Sequence, residues 1–475
     1  MNVEYSAPFT GSSQVFDWLS RFISIDRGQS VKSFRLDRTE MLCEMAGHPE
    51  RSSPSIHVAG SKGKGSVTGM ISAILAGRGL RVARYTSPHV SEYRERITLG
   101  NDFLDESVYA AAGEELRGIV DSLKDPAKPG YALFNGSTGE GEEPAFFELL
   151  TLYFFLCARR AKCDVMVVET GIGGRLDSTN VVDPLVSVIT SIELEHTEFL
   201  GGTIEAIARE KAGIIKRGRP LVLLDQDTEA FEIFKKAVGE KNSPFIYLPE
   251  AARIDSLRYD RDGTSFSLRF KQGDRPGEAL ELFIPIPGEI QGKNASLAVL
   301  AAKAAFPDTD AGTIKKALAG FTLPARFERI RDNPPVIIDG AHTPKSTAYC
   351  IETFGSLYGK AGILLFGCAA HKDAYTMAKT LAPQFSRIVI TTPGNFKVSY
   401  PEQIYDIFKG IIDGGDFEAS GAFTGGKGGK PELIFIRDTD TAIEKALALG
   451  KETGLPVLGI GSFYLVAEIR NRTLP

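Results

Sequence analysis

Gly60-Ser61-Lys62-Gly63-Lys64-Gly65-Ser66 is the segment whose residue types most clearly announce chemistry. Glycines let backbone N–H groups approach an anion, a lysine adds a point charge, and a helix starting within the loop adds a favourable dipole; together they suit a nucleotide phosphate. The strict GxxxxGK[ST] pattern is not met, because Gly65 separates Lys64 from Ser66. Bare glycines would suggest a surface turn, so placement between a strand and a helix is what favours a phosphate cradle. Glu169 closes an apolar run and precedes TGIGGRLDSTN. A carboxylate at the carboxyl end of a parallel strand lies where α/β sheets take ligands and could hold a nucleotide magnesium, although a strand-end acid by itself more often meets solvent. His196, in SIELEHTEFLG, is ambiguous, since magnesium prefers oxygen donors. Lys211, in the helical stretch IAREKAGII, reads by default as a solvated charge. Asp339-Gly340-Ala341-His342-Thr343-Pro344 again puts polar groups after a strand. Either Asp339 or Thr343 caps the next helix, or the segment supplies a nucleotide contact from a second domain.

The elements that must position these groups follow from hydrophobic period. Ser55 to Gly60 alternates as a short strand, and Val67, Met70, Ile71, Ile74 and Leu75 form one face of a helix ending near Gly77 or Gly79. A strand over Leu80 to Thr86 runs into Ser87-Pro88, and strands at Asp164–Glu169 and Leu185–Thr190 follow a helical Phe146–Ala158 region. This alternation predicts a mainly parallel sheet covered on both faces. From Pro220 to Pro287 shorter strands, with a hairpin around Asp262-Gly263, predict an antiparallel flank completing the first domain. Helices over Gly292–Phe306 and Thr313–Gly320 lead to Pro324, a joint between domains. Strands near Val336–Asp339, Ile363–Gly367, Arg387–Thr391, Leu433–Ile436 and Val457–Gly461 then predict a second α/β domain. The expected division is 1–322 and 323–475, with GSTGEGEEP (Gly136–Pro144) and GAFTGGKGGKPE (Gly421–Glu432) as mobile surface loops.

Composition sets limits. The 475 residues are 43% hydrophobic and 24% charged, which excludes disordered and fibrous classes. Lys plus Arg is 55 against 60 Asp plus Glu, a net charge of −5 with no global pull toward nucleic acid or anionic membrane. Cys43, Cys157, Cys163, Cys350 and Cys368 form no CxxC pair, which argues against a zinc ribbon or disulfide scaffold and for a reducing cytosol. No leader pattern and no run of about 18 apolar residues appears, so a soluble, cytoplasmic chain is expected.

Taken in order, HVAGSKGKGSV (His57–Val67), YTSPHVSEYRERI (Tyr85–Ile97), ETGIGGRLDSTN (Glu169–Asn180), EHTEFLGGTIEAIAREKAGIIK (Glu195–Lys216), PGEIQGKNA (Pro287–Ala295), LPARFE (Leu323–Glu328) and DGAHTP (Asp339–Pro344) resemble folylpolyglutamate synthase and dihydrofolate synthase of the Mur ligase superfamily, over roughly residues 15 to 465. The resemblance implies an N-terminal P-loop-type ATPase domain and a C-terminal Rossmann-like glutamate ligase domain. It implies an ATP-dependent amide ligase: ATP phosphorylates a carboxylate of a reduced folate or dihydropteroate, and the amine of L-glutamate displaces phosphate. Carried over by motif, Gly63, Lys64, Gly65 and Ser66 hold phosphates, and Ser66, Glu169 and His196 serve magnesium. Lys211 is the family's carbamylated lysine, and Gln291, Asn294, Arg326, Asp339 and His342 contact ATP or the acyl phosphate. Lys64, Lys211, Asp339 and His342 are the implied catalytic residues. Ser87, Pro88 and His89 lie in a folate-binding loop, with Arg94 and Arg96 as contacts for substrate carboxylates. Magnesium and ATP are implied, a monovalent cation is left open, and a monomer without nucleic-acid or membrane partners is expected.

Departures from the family pattern are Ser61-Lys62 in place of Thr-Asn, Glu195 in place of Asp, Thr343 in place of Asn, and His371 in place of the first Asp of DKD. Lys62 would strengthen anion binding or point to solvent. The alternatives are another Mur-type amino-acid ligase acting on a different carboxylate, a P-loop switch, or a non-catalytic nucleotide-binding relative. The motifs leave the pterin acceptor undecided, and we read the chain as bifunctional.

Overall fold

The two α/β units meet across a cleft in the computed structural model, which describes residues 7–23, 35–135, 143–272, 275–394, 398–414 and 430–473. The two Gly-rich loops expected to be mobile lie outside the described residues, except for 143–144 and 430–432. The first unit contains β1 (Ser55–Ala59), β2 (Val82–Tyr85), β3 (Ile97–Leu99), β4 (Asp102–Phe103), β5 (Val165–Glu169), β6 (Val186–Ile189), β7 (Leu221–Leu223) and β8 (Phe245–Tyr247). These form one sheet in the order β4-β3-β2-β5-β1-β6-β7-β8. The strands from β2 to β8 in that order are mutually parallel, and β3 and β4 add an antiparallel edge.

Strand β1 is buried along its whole length because helices cover both faces, so the polar positions of its alternation, Ser55 and His57, are buried as well. The chain leaves β1 toward β2 on one side and reaches β6 on the other, so the carboxyl end of β1 is a topological switch point, the crevice where open α/β sheets take ligands. Val58 is opposite Glu169 of β5, and Ala59 opposite Ile189 of β6. The register therefore brings the ends of three strands level beside the glycine loop.

Helix α1 (Lys64–Gly77) follows that loop and is buried from Ser66 to Leu75. Met70, Ile71, Ile74 and Leu75 are wholly inaccessible, each contributing about 2 kcal/mol by burial. Helices α2 (Phe146–Arg160), α3 (Ile204–Ala212) and α4 (Glu289–Ala305) complete the layers that matter to the site, with α4 packed on α1.

A separate antiparallel sheet of β9 (Ala252–Tyr259), β10 (Thr264–Gln272) and β11 (Arg275–Ile284) supplies the expected hairpin. Its turn closes through Asp260 N–H to Gly263 O at 3.0 Å, and a Cβ at Gly263 would lie 2.1 Å from Ile284 O. The tip reaches the second unit: Arg261 donates to Leu357 O at 3.1 Å, and Arg329 pairs with Asp262 at 3.3 Å.

That second unit holds β12 (Glu328–Asp332), β13 (Pro335–Ile338), β14 (Gly362–Phe366), β15 (Phe385–Ile390), β16 (Glu432–Phe435) and β17 (Val457–Ile460), ordered β12-β13-β17-β14-β15-β16. Only β12 is antiparallel. Helix α5 (Pro344–Tyr358) follows β13.

Two features depart from the sequence expectation. Leu221–Leu223 and Phe245–Tyr247 extend the parallel sheet rather than an antiparallel flank; runs of three residues carry no period that could distinguish the two. Helices Ser12–Ser20, Leu36–Met45 and Glu106–Ser122, which pack on α2 or beside it, add to the elements expected from hydrophobic period.

Candidate active site

A cavity of about 560 Å³ opens at the switch point and runs between the two units. Gly63 starts α1 at φ +86°, a left-handed conformation that favours glycine, and a Cβ there would lie 2.8 Å from Asn294 Oδ1. A Cβ on Gly65 would sit 3.6 Å from Glu169 Oε2 and 3.8 Å from Arg326 Nη2. The space above the loop is thus framed by β5, α4 and the segment entering β12. Lys64 Nζ donates to Gly60 O at 2.8 Å and Ser61 O at 3.4 Å, which leaves one of its three N–H donors for a ligand. Ser66 is 2% exposed and lines the cavity.

Glu169 does not meet solvent: it is 3% exposed. It accepts one hydrogen bond, from Ser87 N–H at 3.2 Å, and makes no ion pair among the described residues. Burial raises its carboxyl to about 7, with Lys64, Arg326 and Arg96 pulling the other way. A buried carboxylate so poorly partnered is suited to receive a cation.

Lys211 also overturns the default for a helical lysine. It is 1% exposed, and its Nζ donates to Gly60 O at 2.8 Å and pairs with Glu195 Oε1 at 3.0 Å. Burial brings it down to about 8. Burial alone would push Glu195 up, but Lys64, Lys211 and Lys62 outweigh it and bring its carboxyl to about 2. His196 precedes the short helix Thr197–Leu200 at φ +46° and lines the cavity; burial lowers its imidazole to about 4. Among the described residues, no three His, Cys, Asp or Glu side chains gather as a metal cluster.

The GIGGRLDSTN segment is held by Asp177, which accepts from Gly171 N–H and Ile172 N–H at 2.9 Å and from the Thr179 hydroxyl. Thr179 Oγ1 in turn is 2.8 Å from Nε2 of the fully buried His57 on β1.

Across the cleft, Asp339 accepts from Phe327 N–H at 2.8 Å and Ala341 N–H at 2.7 Å, with burial raising its carboxyl. Those bonds organise the loop rather than the helix; Thr343 is the cap of α5. Arg326 lies 4.4 Å over the Phe463 ring. His342 Nδ1 is 2.8 Å from Gly340 O; because a carbonyl only accepts, Nδ1 carries the proton and Nε2 is left as the acceptor. Burial lowers this imidazole to about 3, so it stays neutral.

Of the residues named from sequence, Gly63, Lys64, Gly65, Ser66, Glu169, His196, Gln291, Asn294, Arg326, Asp339, His342, Ser87, Pro88 and Arg96 all line the cavity. His89 stands behind Arg96, its Nδ1 accepting from Arg96 Nε at 2.8 Å. Arg94 turns to Glu92 at 2.8 Å and Glu106 at 3.0 Å, away from the cavity. Phe147, Glu148, Glu193 and Phe463 line it without having been singled out. Phe463 had a signal, following a strand end at GIGS; the others depend on packing that no local pattern reveals.

Residues 132–302 match the Mur ligase middle domain, and 325–463 the Mur ligase, glutamate ligase domain. The chain is 32% identical over 443 residues to the dihydrofolate synthase/folylpolyglutamate synthase of Bacillus subtilis (strain 168), spanning 92% of this chain and 94% of that one. Its structure is similar to that of Mycobacterium tuberculosis folylpolyglutamate synthase complexed with ADP, at TM-score 0.82, 27% identity and coverage of 97% and 98% of the two chains. It is also similar to an FPGS–AMPPCP–folate complex, at TM-score 0.76, 25% identity and coverage of 98% and 100%.

Proposed function

The chain belongs to the folylpolyglutamate synthase/dihydrofolate synthase family of ATP-dependent glutamate ligases, and from that premise we propose which of its residues carry the reaction and on which acceptors. The observation that carries the assignment is the convergence of Lys64, Glu169, Asn294 and Arg326 on the Gly63–Ser66 backbone at the sheet's switch point. In the proposed reaction a substrate carboxylate oxygen attacks the γ-phosphorus of ATP, and ADP leaves. The glutamate amine then attacks the acyl carbon; a C–N bond forms, the C–O bond to phosphate breaks, and the amine gives up its protons.

Lys64 and the N–H groups opening α1 neutralise the β- and γ-phosphates. Gln291 and Asn294 on α4 hold the nucleotide from the first unit, and Arg326 and Asp339 from across the cleft. The neutral His342 offers Nε2 as an acceptor to the incoming amine. Ser87, Pro88 and Arg96 sit at the folate side, Arg96 as a cation for a substrate carboxylate; His89 orients Arg96, and Arg94 acts through Glu92 and Glu106 on the same loop.

Magnesium fits the residues present: the Ser66 hydroxyl and the under-partnered Glu169 carboxylate are hard oxygen donors, and His196 stands nearby as a nitrogen donor. When bound, the ion would neutralise charge on the transferring phosphoryl oxygens. Lys211 is suited to carbamylation, because burial brings its amine down to about 8 and about a tenth is then neutral and nucleophilic at pH 7. A carbamate there would face Glu195, now 3.0 Å from Nζ. A cation bound nearby would offset their like charge, so metal binding would favour the modification.

All five cysteines are buried free thiols, which supports a reducing cytosol. Among the described residues no helix is long and apolar enough to cross a membrane.

Glutamate-dependent ADP release should be measured with magnesium, using 7,8-dihydropteroate and tetrahydrofolate in parallel. Turnover with both is the expected result. Turnover with one alone would restrict the enzyme to that activity, and turnover with neither by a protein that binds ATP would remove the folate assignment.

A further inference from the structure

Lys62 is fixed at its backbone and loose at its ammonium. Its main chain pairs with Ser191 in an isolated antiparallel bridge, and Ser191 Oγ donates to Lys62 O at 3.4 Å. The neighbouring Ser61 hydroxyl donates to Glu193 O at 3.1 Å and accepts from Glu193 N–H at 3.0 Å. This side of the loop is therefore stapled to the segment after β6. Nζ, by contrast, makes no hydrogen bond among the described residues; its ion pair is with Glu195 Oε2 at 3.8 Å, beyond direct hydrogen-bond range. Lys64 and Lys211 both donate to Gly60 O at 2.8 Å, so of the three ammonium groups around this loop Lys62 has its donors least engaged. Its side chain is 23% exposed and lines the cavity.

Lys62 also faces the second unit. It lines the same cavity as His342 of that unit, whose imidazole is lowered first by burial and then by the charge of Lys62. The group in transit must lie between these two walls, since it leaves a nucleotide seated on the first and is displaced by an amine approaching the second. Glu195 keeps the Lys62 ammonium near this position without saturating it.

We propose that Lys62 is a second phosphoryl-binding cation, contacting the γ-phosphate oxygens of ATP and then the acyl phosphate on the side opposite Lys64. The inference rests on the ATP-dependent ligase reading of the cleft. A transferring phosphoryl group spreads its negative charge over three oxygens; Lys64 reaches it from within the loop, and Lys62 covers an oxygen that Lys64 does not. Because ADP lacks that group, the contact must show as a preference for triphosphate over diphosphate.

Calorimetric binding of ADP and of the non-hydrolysable β,γ-methylene analogue of ATP, with magnesium, tests this on the wild type, Lys62→Met and Lys62→Arg, each checked for an unchanged thermal unfolding midpoint. In Lys62→Met the preference for the triphosphate analogue should fall by about 10-fold, the scale of one charge-assisted hydrogen bond, with ADP affinity retained, kcat reduced, and Lys62→Arg recovering most of both. Equal losses for the two nucleotides would show that Lys62 supports the loop and overturn the proposal. So would unchanged binding of both, whether or not KM for glutamate rises; a rise would assign Lys62 to the amino-acid carboxylate instead. Failure of the ligase reading is distinct, appearing as absent glutamate-dependent turnover in the wild type while its nucleotide preference is intact.

Discussion

Glu169→Gln should stabilise the ligand-free protein at alkaline pH while removing its activity. The carboxyl is raised from 4.5 to about 7, burial being the largest cause and Lys64, Arg326 and Arg96 opposing it. A folded-state value above the unfolded one means that the folded chain holds a proton the unfolded chain has lost between those two pH values. Stability therefore falls as pH rises through this window. At pH 8 the ionised group costs about 3 kcal/mol, and at pH 5 under about 1 kcal/mol. Glutamine keeps the shape, and its amide oxygen can still accept from Ser87 N–H, now 3.2 Å from Glu169 Oε2. Urea unfolding of the nucleotide-free, chelator-treated protein is the assay, with wild type and variant compared at both pH values. The variant should be more stable by about 3 kcal/mol at pH 8 and by little at pH 5, while ADP release is lost because the charge proposed to hold magnesium is gone. Equal stability at pH 8, or the same increment at both pH values, would refute the claim that the carboxylate is held in a buried site awaiting a cation.

Other perturbations bear on neighbouring parts of the cleft. Lys64→Ala should lower turnover by at least about 100-fold with the circular dichroism spectrum unchanged, and near-normal ADP release would remove the phosphate-cradle assignment. Lys211→Ala should destabilise the fold by about 3 kcal/mol, because Glu195 loses a buried partner, and should lose activity that added acetate or formate partly restores; indifference of turnover to the substitution would end the carbamate proposal. Gly65→Ala and Gly60→Ala should differ in kind. The first places a Cβ in ordinary contact, 3.6 Å from Glu169 Oε2, and should fold normally with KM for ATP raised about 10-fold. The second forces a Cβ to 1.8 Å from Thr190 Oγ1 at φ +145° and should show in thermal unfolding as a loss of about 3 kcal/mol or more.

The sequence made the local architecture legible because glycine, proline and hydrophobic period act over a few residues. The strand before Gly60, the helix with Met70, Ile71, Ile74 and Leu75 on its buried side, and the Asp262-Gly263 turn are all found where those signals put them. The helix Glu106–Ser122 is harder to read because small residues, Ala110, Ala112 and Gly113, make up much of its buried face and weaken the apolar period. Three-residue strands such as β7 and β8 escaped because a run that short has no resolvable period.

Residue identity and spacing were enough to determine a glycine loop between a strand and a helix, two α/β units and the motifs of a glutamate ligase, since these depend on local backbone preference and on the chemical groups themselves. Only tertiary structure decided which charges are buried. Lys211 and Glu169 look like ordinary polar positions on a helix and at a strand end, yet they are 1% and 3% exposed because α3 and the cleft walls close over the carboxyl ends of β1, β5 and β6. Arg94 and Arg96 are two residues apart and chemically identical, but on the single 3-10 turn Tyr93–Arg96 that spacing points them to different sides, one to Glu92 and Glu106 and the other into the cavity. Desolvation and orientation are properties of atoms brought together from distant parts of the chain, and no local pattern carries them.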